Sequence, residues 1–565
     1  MSHRSRKLAA LRERFNTQVG LITGLVYKAG YHSQLPILTP AHPYRENAVH
    51  AHAFLSSDDP ADQELGRSLL SRVLAAQETD PASPWYGIWS WFAEEPPSAM
   101  NPADWNWADF IGSTLLAILH QVPDRLGPEL LEATRVSLGH AAWSIFRRNV
   151  APSYTNIAII GTAVTLGAGL SLNEPRLTAY GRARFRRLRA SIEAHGVQEY
   201  NSPIYYQVDI AELEGILALP LDDDLRAEAE FLLEIFWGQI ARHFHPPTAQ
   251  WAGPHSRSYT NWLDQNARAF LQERLGFDLP PAHDDGGLAT GEPSPLDDPY
   301  GIPAGPVPCP EKWRSAFQQI PSSPHEQIEV WTRDTQGHPR VVSTTWSDST
   351  VTLGSVNCEV FWKQCQPVVG YWRSQNGDLG RVRVRVLLNG EDFCSAQLRS
   401  AQRGAVILGA VQFLAGEGTY HVHFDKPADG TFALRDLRLR FEVEGEAPAV
   451  RSVNPAEWTL CASGEELQLL TNAVWFDGQA ATRWETGENG RCAWLDAVFY
   501  EGAEVPFHPG TVARTGTAFA LAWKKAAPQV LGPLQVSDGG QSLSLAGLDP
   551  ELTLSVPHPP SKLPY

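Results

Sequence analysis

Trp251-Ala-Gly-Pro-His255-Ser-Arg257-Ser-Tyr259 sets an imidazole, a guanidinium and a phenol at alternate positions. In an extended backbone alternate side chains project to one side, so these three groups converge. Such a trio can hold an anion and move protons. Gly253-Pro254 fixes the entry of the segment, and Trp251 adds a ring for substrate contact. The plainer alternative is a polar surface loop.

Three other segments carry comparable chemistry. Gln198-Glu199-Tyr200-Asn201-Ser202-Pro203-Ile204-Tyr205-Tyr206-Gln207-Val208-Asp209 crowds polar and aromatic residues at a helix mouth. Tyr205 and Asp209 are four apart, Tyr206 and Asp209 three apart, so each pair shares a helix face. Glu199, Asn201 and Asp209 are candidate substrate contacts; a tight loop held by Asn201 and Ser202 is the alternative. In Ser153-Tyr-Thr-Asn156, Asn156 opens an otherwise apolar helix. Its amide, with the free N–H groups of the first turn, could hold a carboxylate, or it could only brace the helix start. Finally, residues 85–110 place Trp89, Trp91, Trp105, Asn106 and Trp107 beside acidic clusters. Sugar rings stack on such indoles, although a Trp-rich plug would read the same.

These groups must be positioned by two different kinds of structure. Residues 1 to about 277 keep a helical period, with helices expected near 5–27, 44–56, 61–78, 103–120, 127–148, 154–170, 174–195, 203–219, 223–243 and 260–274. Asp59-Pro60 and Ser202-Pro203 read as helix starts. Short loops favour antiparallel neighbours, and the nearly all-apolar helix at 157–170 implies an inner layer. The expectation is an α/α toroid, closed or incomplete. Residues 278–325 read as a Pro/Gly-rich linker. From 326 to 565 the period is two, as in Arg381-Val-Arg-Val-Arg-Val, Tyr420-His-Val-His-Phe and Leu437-Arg-Leu-Arg-Phe-Glu-Val, which predicts an antiparallel β-sandwich. The fold class is thus multidomain α and β, a helical domain followed by a sandwich.

Composition narrows the partners. A formal charge of −17 repels nucleic acid and anionic membranes, so neither is expected as a partner. An acidic substrate would need a local basic cluster. Nineteen tryptophans favour a carbohydrate cleft, the plainer alternative being that they fill large cores. No apolar run reads as a signal peptide or membrane span, and the six cysteines lack C-x-x-C spacing, so a cytoplasmic protein is expected. His50-Ala-His52, His243-Phe-His245 and His421-Val-His423 lack matched further ligands, so no metal and no cofactor is expected. Composition sets no oligomeric state.

An α/α toroid followed by a β-sandwich, with Asn156, Tyr205 or Tyr206, His255 and Arg257 as quoted, resembles the polysaccharide lyases of the heparinase II/III, alginate lyase and chondroitin lyase type. The resemblance implies β-elimination at a uronic acid. Asn156 looks like their carboxylate-neutralising Asn, Tyr205 or Tyr206 like their catalytic Tyr, and His255 and Arg257 like their His and Arg. Ile157 departs from the family, which has His after that Asn. Under this resemblance Asn156 or Arg257 neutralises the sugar carboxylate, and His255 or a tyrosinate removes the proton. Tyr206 is the first choice for acid, with Tyr205 and Tyr259 behind it. Phe361-Trp362-Lys363 and Tyr371-Trp372-Arg373 are candidates for the cleft rim. Two rivals stand beside it. A glycoside hydrolase would use a carboxyl pair from Glu94, Glu95, Asp104, Asp109, Glu199 and Asp209. A non-catalytic sugar-binding protein would keep the tryptophans alone.

Overall fold

The computed structural model describes residues 3–26, 32–280, 306–320, 323–414, 429–472, 475–476, 479–480, 483–512, 515–526, 531, 533–537 and 541–557. Its helices are α1 (His3–Glu13), α2 (Tyr44–Leu55), α3 (Pro60–Leu74), α4 (Asn106–Gln121), α5 (Pro128–Arg148), α6 (Thr155–Ser171), α7 (Pro175–His195), α8 (Tyr205–Leu217), α9 (Asp223–His243) and α10 (Gln265–Leu275). Most boundaries lie within a turn of those expected, because local capping sets them. Asp59 accepts from Ala61 N–H at 2.9 Å to start α3. Ser202 Oγ accepts from Tyr205 N–H at 3.0 Å to start α8.

Two helices differ from expectation. The first stops at Glu13, where Asn16 Oδ1 accepts from the N–H groups of Gln18 and Val19, and the chain turns back so that Phe15–Asn16 pairs with Leu21–Ile22. An Asx turn of this kind competes with helix continuation. The last begins at Gln265 rather than Thr260, because Asp264 supplies the N-cap.

Helices α2/α3, α4/α5, α6/α7 and α8/α9 pack as hairpins. The first members, α2, α4, α6 and α8, touch in succession as an inner layer, and α3, α5, α7 and α9 form the outer one. This is the α/α toroid, of four hairpins among the described residues. Burial explains the layering. On α7 only Leu177, Gly181, Arg184, Phe185, Leu188 and Ile192 are buried, a single helical stripe. Helix α6 is buried from Thr155 through Gly169. It tolerates this because its polar residues bond inward: Thr162 and Thr165 donate to the carbonyls of Ala158 and Gly161, each at 2.7 Å. No described helix is long and apolar enough to cross a membrane.

The C-terminal domain is all antiparallel. One sheet runs, in spatial order, Arg483–Asn489, Cys492–Phe507, Phe432–Glu444, Leu379–Leu388, Val368–Arg373, Val351–Val356, Pro339–Ser347 and His325–Arg333. The other runs Cys358–Val360, Ala396–Arg403, Val406–Phe413, Thr515–Trp523, Glu465–Thr471, Glu457–Ala462 and Ala449–Asn454. Their facing side chains, among them Val382, Val384, Val386, Leu439, Phe441, Leu398, Phe519 and Leu521, form the sandwich core.

The period-two pattern of Leu379–Leu388 has a second consequence. Its valines enter the core while Arg381 and Arg383 emerge on the opposite face, towards the helical domain. There Arg381 pairs with Glu442 and Glu444. Arg383 reaches Asn261 Oδ1, and Tyr371 donates to the Asn261 carbonyl at 3.0 Å. Tyr371 and Arg373, which donates to the Pro247 carbonyl, therefore brace the domain interface, whereas Trp372 is a ring of the sandwich core and donates to the Ala462 carbonyl. Residues 306–320 lie on the helical domain, with Cys309 N–H bonded to the Arg274 carbonyl and Trp313 Nε1–H to Glu234. The Tyr420–Phe424 segment and its His421-Val-His423 pair lie outside the described residues.

Candidate active site

The loop 196–204, the start of α6 and the segment 251–262 meet where the sandwich touches the toroid. Asn201 organises the junction. It is fully buried and sits at φ +44, a left-handed conformation that Asn tolerates better than most residues. Its Nδ2 donates to the carbonyls of Ala252 and Pro254 at 3.0 and 2.9 Å, and its Oδ1 accepts from Trp251 Nε1 at 2.6 Å. Gly253, at φ +84, lets the sheet come close: a Cβ there would stand 2.7 Å from Thr345 Oγ1. Beyond it the chain pairs with the sandwich through His255 and Gln366, which exchange backbone hydrogen bonds at 3.0 and 2.8 Å.

Arg257 is the cation of the site. Its Nη1 donates to Gln364 Oε1 at 3.0 Å, its guanidinium carbon lies 4.0 Å from the centre of the Trp362 ring, and its Nε is 3.8 Å from Glu199 Oε1. The rim candidate Trp362 thus stacks on the cation from the sandwich side. Burial works against the charge, but Tyr205, Glu199, Tyr259 and Tyr154 together outweigh it and raise the Arg257 pKa. Tyr205 and Tyr259 place their hydroxyls 2.9 Å apart. Both rings keep partial exposure, as does Arg257. Burial, and then the Tyr259 neighbour, push the Tyr205 phenol well above its usual value, with Arg257 pulling the other way. Tyr205 is therefore a hydroxyl at neutral pH.

Glu199 forms the floor. It is buried, and its Oε2 accepts from Asn156 N–H at 3.1 Å. The carboxylate so occupies the N-terminus of α6, where the helix dipole favours a negative charge. Desolvation raises its pKa, opposed by Arg257 and by the N–H groups of Asn156 and Thr155. Above it, Tyr154 is 36 % exposed at the mouth, and its hydroxyl accepts from Asn106 Nδ2 at 3.2 Å. Asn106 Oδ1 in turn accepts from Arg148 at 2.6 Å. Burial, then Glu199 and Asp104, raise the Tyr154 pKa.

The structure thus brings Arg257, Tyr205, Tyr259, Glu199 and Asn106 together, with Tyr154, Trp362, Gln364 and Arg148 joining them. It sets others apart. Tyr206 points into the core: its hydroxyl donates to Gln239 Oε1 at 2.6 Å, accepts from Asn201 N–H at 3.0 Å, and has no exposed surface. Neighbours on a helix are about 100° apart, so Tyr205 and Tyr206 cannot both face the mouth.

His255 is sealed as well, 1 % exposed, with Nδ1 donating to the Asn201 carbonyl at 2.8 Å. Burial holds its pKa at about 4. The chain bends at Ser256 and Arg257 instead of staying extended, so His255 does not share a side with Arg257. Asn156 is buried and turns its Oδ1 to Ile157 N–H at 2.8 Å, while Glu199 fills the carboxylate position expected for a ligand. Asp209 is wholly buried on α8, and neither oxygen has a hydrogen-bond partner among the described residues.

The tryptophans divide similarly. Trp89 and Trp251 are core rings whose indole N–H groups bond to Val73 O and Asn201 Oδ1. Trp91 stacks on buried Trp107 with ring centres 5.0 Å apart and donates to Asp104. Trp105 keeps an exposed part. Of the His-x-His pairs, His243 meets the Gln239 carbonyl, whereas His245 meets Thr248 and Asp348. All six cysteines are unpaired. The one sequence signal for Tyr154 was its place two residues before Asn156. Gln364 and Arg148 carried none, since each reaches the site from more than 40 residues away.

Residues 25–271 match a family described as a domain of unknown function (DUF8769). No curated protein matches the chain. Among solved structures, it is similar to the chondroitin AC lyase of Streptomyces coelicolor A3 in complex with chondroitin sulphate, at 10 % identity and a TM-score of 0.44 over 96 % of this chain and 87 % of that one. It is also similar to a mutant heparan sulfate lyase from Pedobacter heparinus, at 10 % identity and a TM-score of 0.38 over 99 % and 90 %. Both alignments run through the two domains and assign no residue a role.

Proposed function

We propose that the chain is a polysaccharide or oligosaccharide lyase that cleaves a uronic-acid-containing glycan by β-elimination. The observation that carries this reading is a single stacked guanidinium, Arg257, facing two tyrosine hydroxyls 2.9 Å apart at a partly open mouth. Arg257 holds the uronate carboxylate and stabilises the charge that develops as the C5 proton leaves. The C5 proton passes to the Tyr259 oxygen as Tyr259 hands its own proton across the 2.9 Å contact to Tyr205. The C4–O bond breaks, a C4=C5 double bond forms, and the departing oxygen takes the proton of Tyr205. Each tyrosine ends with one proton, as it began. The raised pKa of Tyr205 keeps it protonated, as a group must be before it can donate. Glu199 orients Arg257 and anchors α6. The six unpaired thiols suit a reducing compartment such as the cytoplasm.

The hydrolase rival needs two available carboxyls, and each of those offered is bonded or buried, Glu199 by Asn156 N–H beside Arg257. Glu94 pairs with His42, and Glu95 accepts from Gln34 N–H. Asp104 accepts from Trp91, while Asp109 and Asp209 are buried. The test is incubation with a panel of uronic-acid oligosaccharides, followed by ultraviolet absorbance of the conjugated double bond. Rising absorbance with each cleavage is expected. Cleavage that adds water and gives no chromophore would overturn the lyase reading in favour of the hydrolase; binding without cleavage would leave a sugar-binding protein.

A further inference from the structure

Beside the mouth, on the far side of Asn106, lies a cavity of about 360 Å³. The C-terminal turn of α5 provides Arg147, Arg148 and Ser144, and the loops before α4 provide Ser83, Tyr86 and Trp105. The volume is at the small end of ligand sites, which run to about 300–1,000 Å³. Its walls are fixed. Gly87, at φ +80, seats the loop so tightly on α5 that a Cβ would lie 2.4 Å from the His140 carbonyl. Tyr86 is pinned by its hydroxyl, 2.8 Å from His140 Nδ1, and Arg147 lies 4.1 Å from the Tyr86 ring centre.

Two arginines lining one cavity, with no carboxylate in that lining, are unusual in a chain of net charge −17. Each has a fixed anchor and donors left over. Arg147 spends Nη1 on the Pro81 carbonyl, and Arg148 spends its own on Asn106 Oδ1. The nearest acid, Asp109, lies 3.7 Å from Arg148 but is wholly buried. Desolvation lifts its pKa to about 7, so below neutrality it does not cancel the arginine charge. Trp105 offers a partly exposed ring, as a sugar face requires.

We propose that this cavity is a second subsite, which takes a sugar ring carrying a carboxylate or sulfate group, with the anion on Arg147 and Arg148 and the ring against Trp105. This deepens the lyase reading and rests on it for the substrate class: the glycan carries a negative charge away from the reacting ring. Asn106 joins the two sites, since it bonds to Arg148 on one side and to Tyr154 on the other.

The test is calorimetric titration of the Tyr205→Phe chain, in which turnover is slowed by about 10²–10⁴-fold. The probes are a glucuronic-acid disaccharide, its neutral glucose counterpart and inorganic sulfate. The acidic disaccharide should bind more tightly than the neutral one, and Arg147→Gln added to that background should weaken it by about tenfold or more, the scale of one charge-assisted hydrogen bond. Arg147 is exposed, so its variant should keep the urea midpoint of its parent. Trp105→Phe should weaken both disaccharides alike. Acidic binding unchanged by Arg147→Gln, equal binding of the two disaccharides, sulfate bound as tightly as the sugar, or no binding would each overturn the proposal. Arginine-dependent binding alongside a failed double-bond assay would instead retain this subsite and sink the lyase reading.

Discussion

Adjacent tyrosines should respond in opposite ways to losing one oxygen. Tyr206→Phe removes a hydroxyl that serves two buried groups, Gln239 Oε1 and Asn201 N–H. Each group left without its partner costs about 1–3 kcal/mol, so the helical domain should lose about 2–6 kcal/mol of stability. Turnover per folded molecule should be kept, because the ring packs between Phe236 and Trp251 with no path to solvent. Tyr205→Phe removes a hydroxyl whose partner, Tyr259, is partly exposed, so water can replace it at a cost below about 1 kcal/mol. Its turnover should fall by about 10²–10⁴-fold, the scale of one acid–base group. Urea unfolding followed by circular dichroism reads the first quantity, and double-bond absorbance on an active substrate reads the second. The reverse pattern, with a stable Tyr206→Phe that is inactive and a fully active Tyr205→Phe, would refute the assignment of the two rings.

Other outcomes follow from the same geometry. Arg257→Lys keeps a positive charge but loses the hydrogen bond to Gln364 and the stack on Trp362, so kcat should fall by about 10²–10³-fold in steady-state assays. Asn201→Ala leaves the Trp251 indole and two carbonyls without a partner and strains φ +44; unfolding titration should show a loss of about 4 kcal/mol or more. Burial, and then Glu199 and Glu212, raise the Asp209 pKa, so its folded value exceeds its unfolded one and it destabilises the fold increasingly as pH rises. The stability of Asp209→Asn relative to the parent should therefore climb from pH 5 to pH 8, by up to about 1.4 kcal/mol per unit, in urea titrations; a constant difference would contradict this.

Local chemistry written in the chain was enough to place most elements. Asp59-Pro60 starts a helix wherever it is put, because the cap and the fixed proline φ act within one turn. The alternation of Arg381 to Val386 makes a strand with two unlike faces by the pleat alone. The candidates Arg257, Tyr205, Tyr259, Glu199 and Asn106 could be named because their residue types are costly to bury unless used. Which of them meet was decided by packing. Tyr205 and Tyr206 are chemically identical neighbours, and only Gln239 on α9 determines which one is drawn into the core. His255 and Arg257 share a parity, but the pairing of His255 with Gln366 and the bends at Ser256 and Arg257 turn one inward and leave the other at the mouth. Arg148 stands beside Asn106 because hairpin α4/α5 returns the chain over 42 residues to the same end of the toroid. Sequence sets preferences over a turn or a strand, whereas the direction of a side chain at a domain junction depends on volumes contributed from far along the chain.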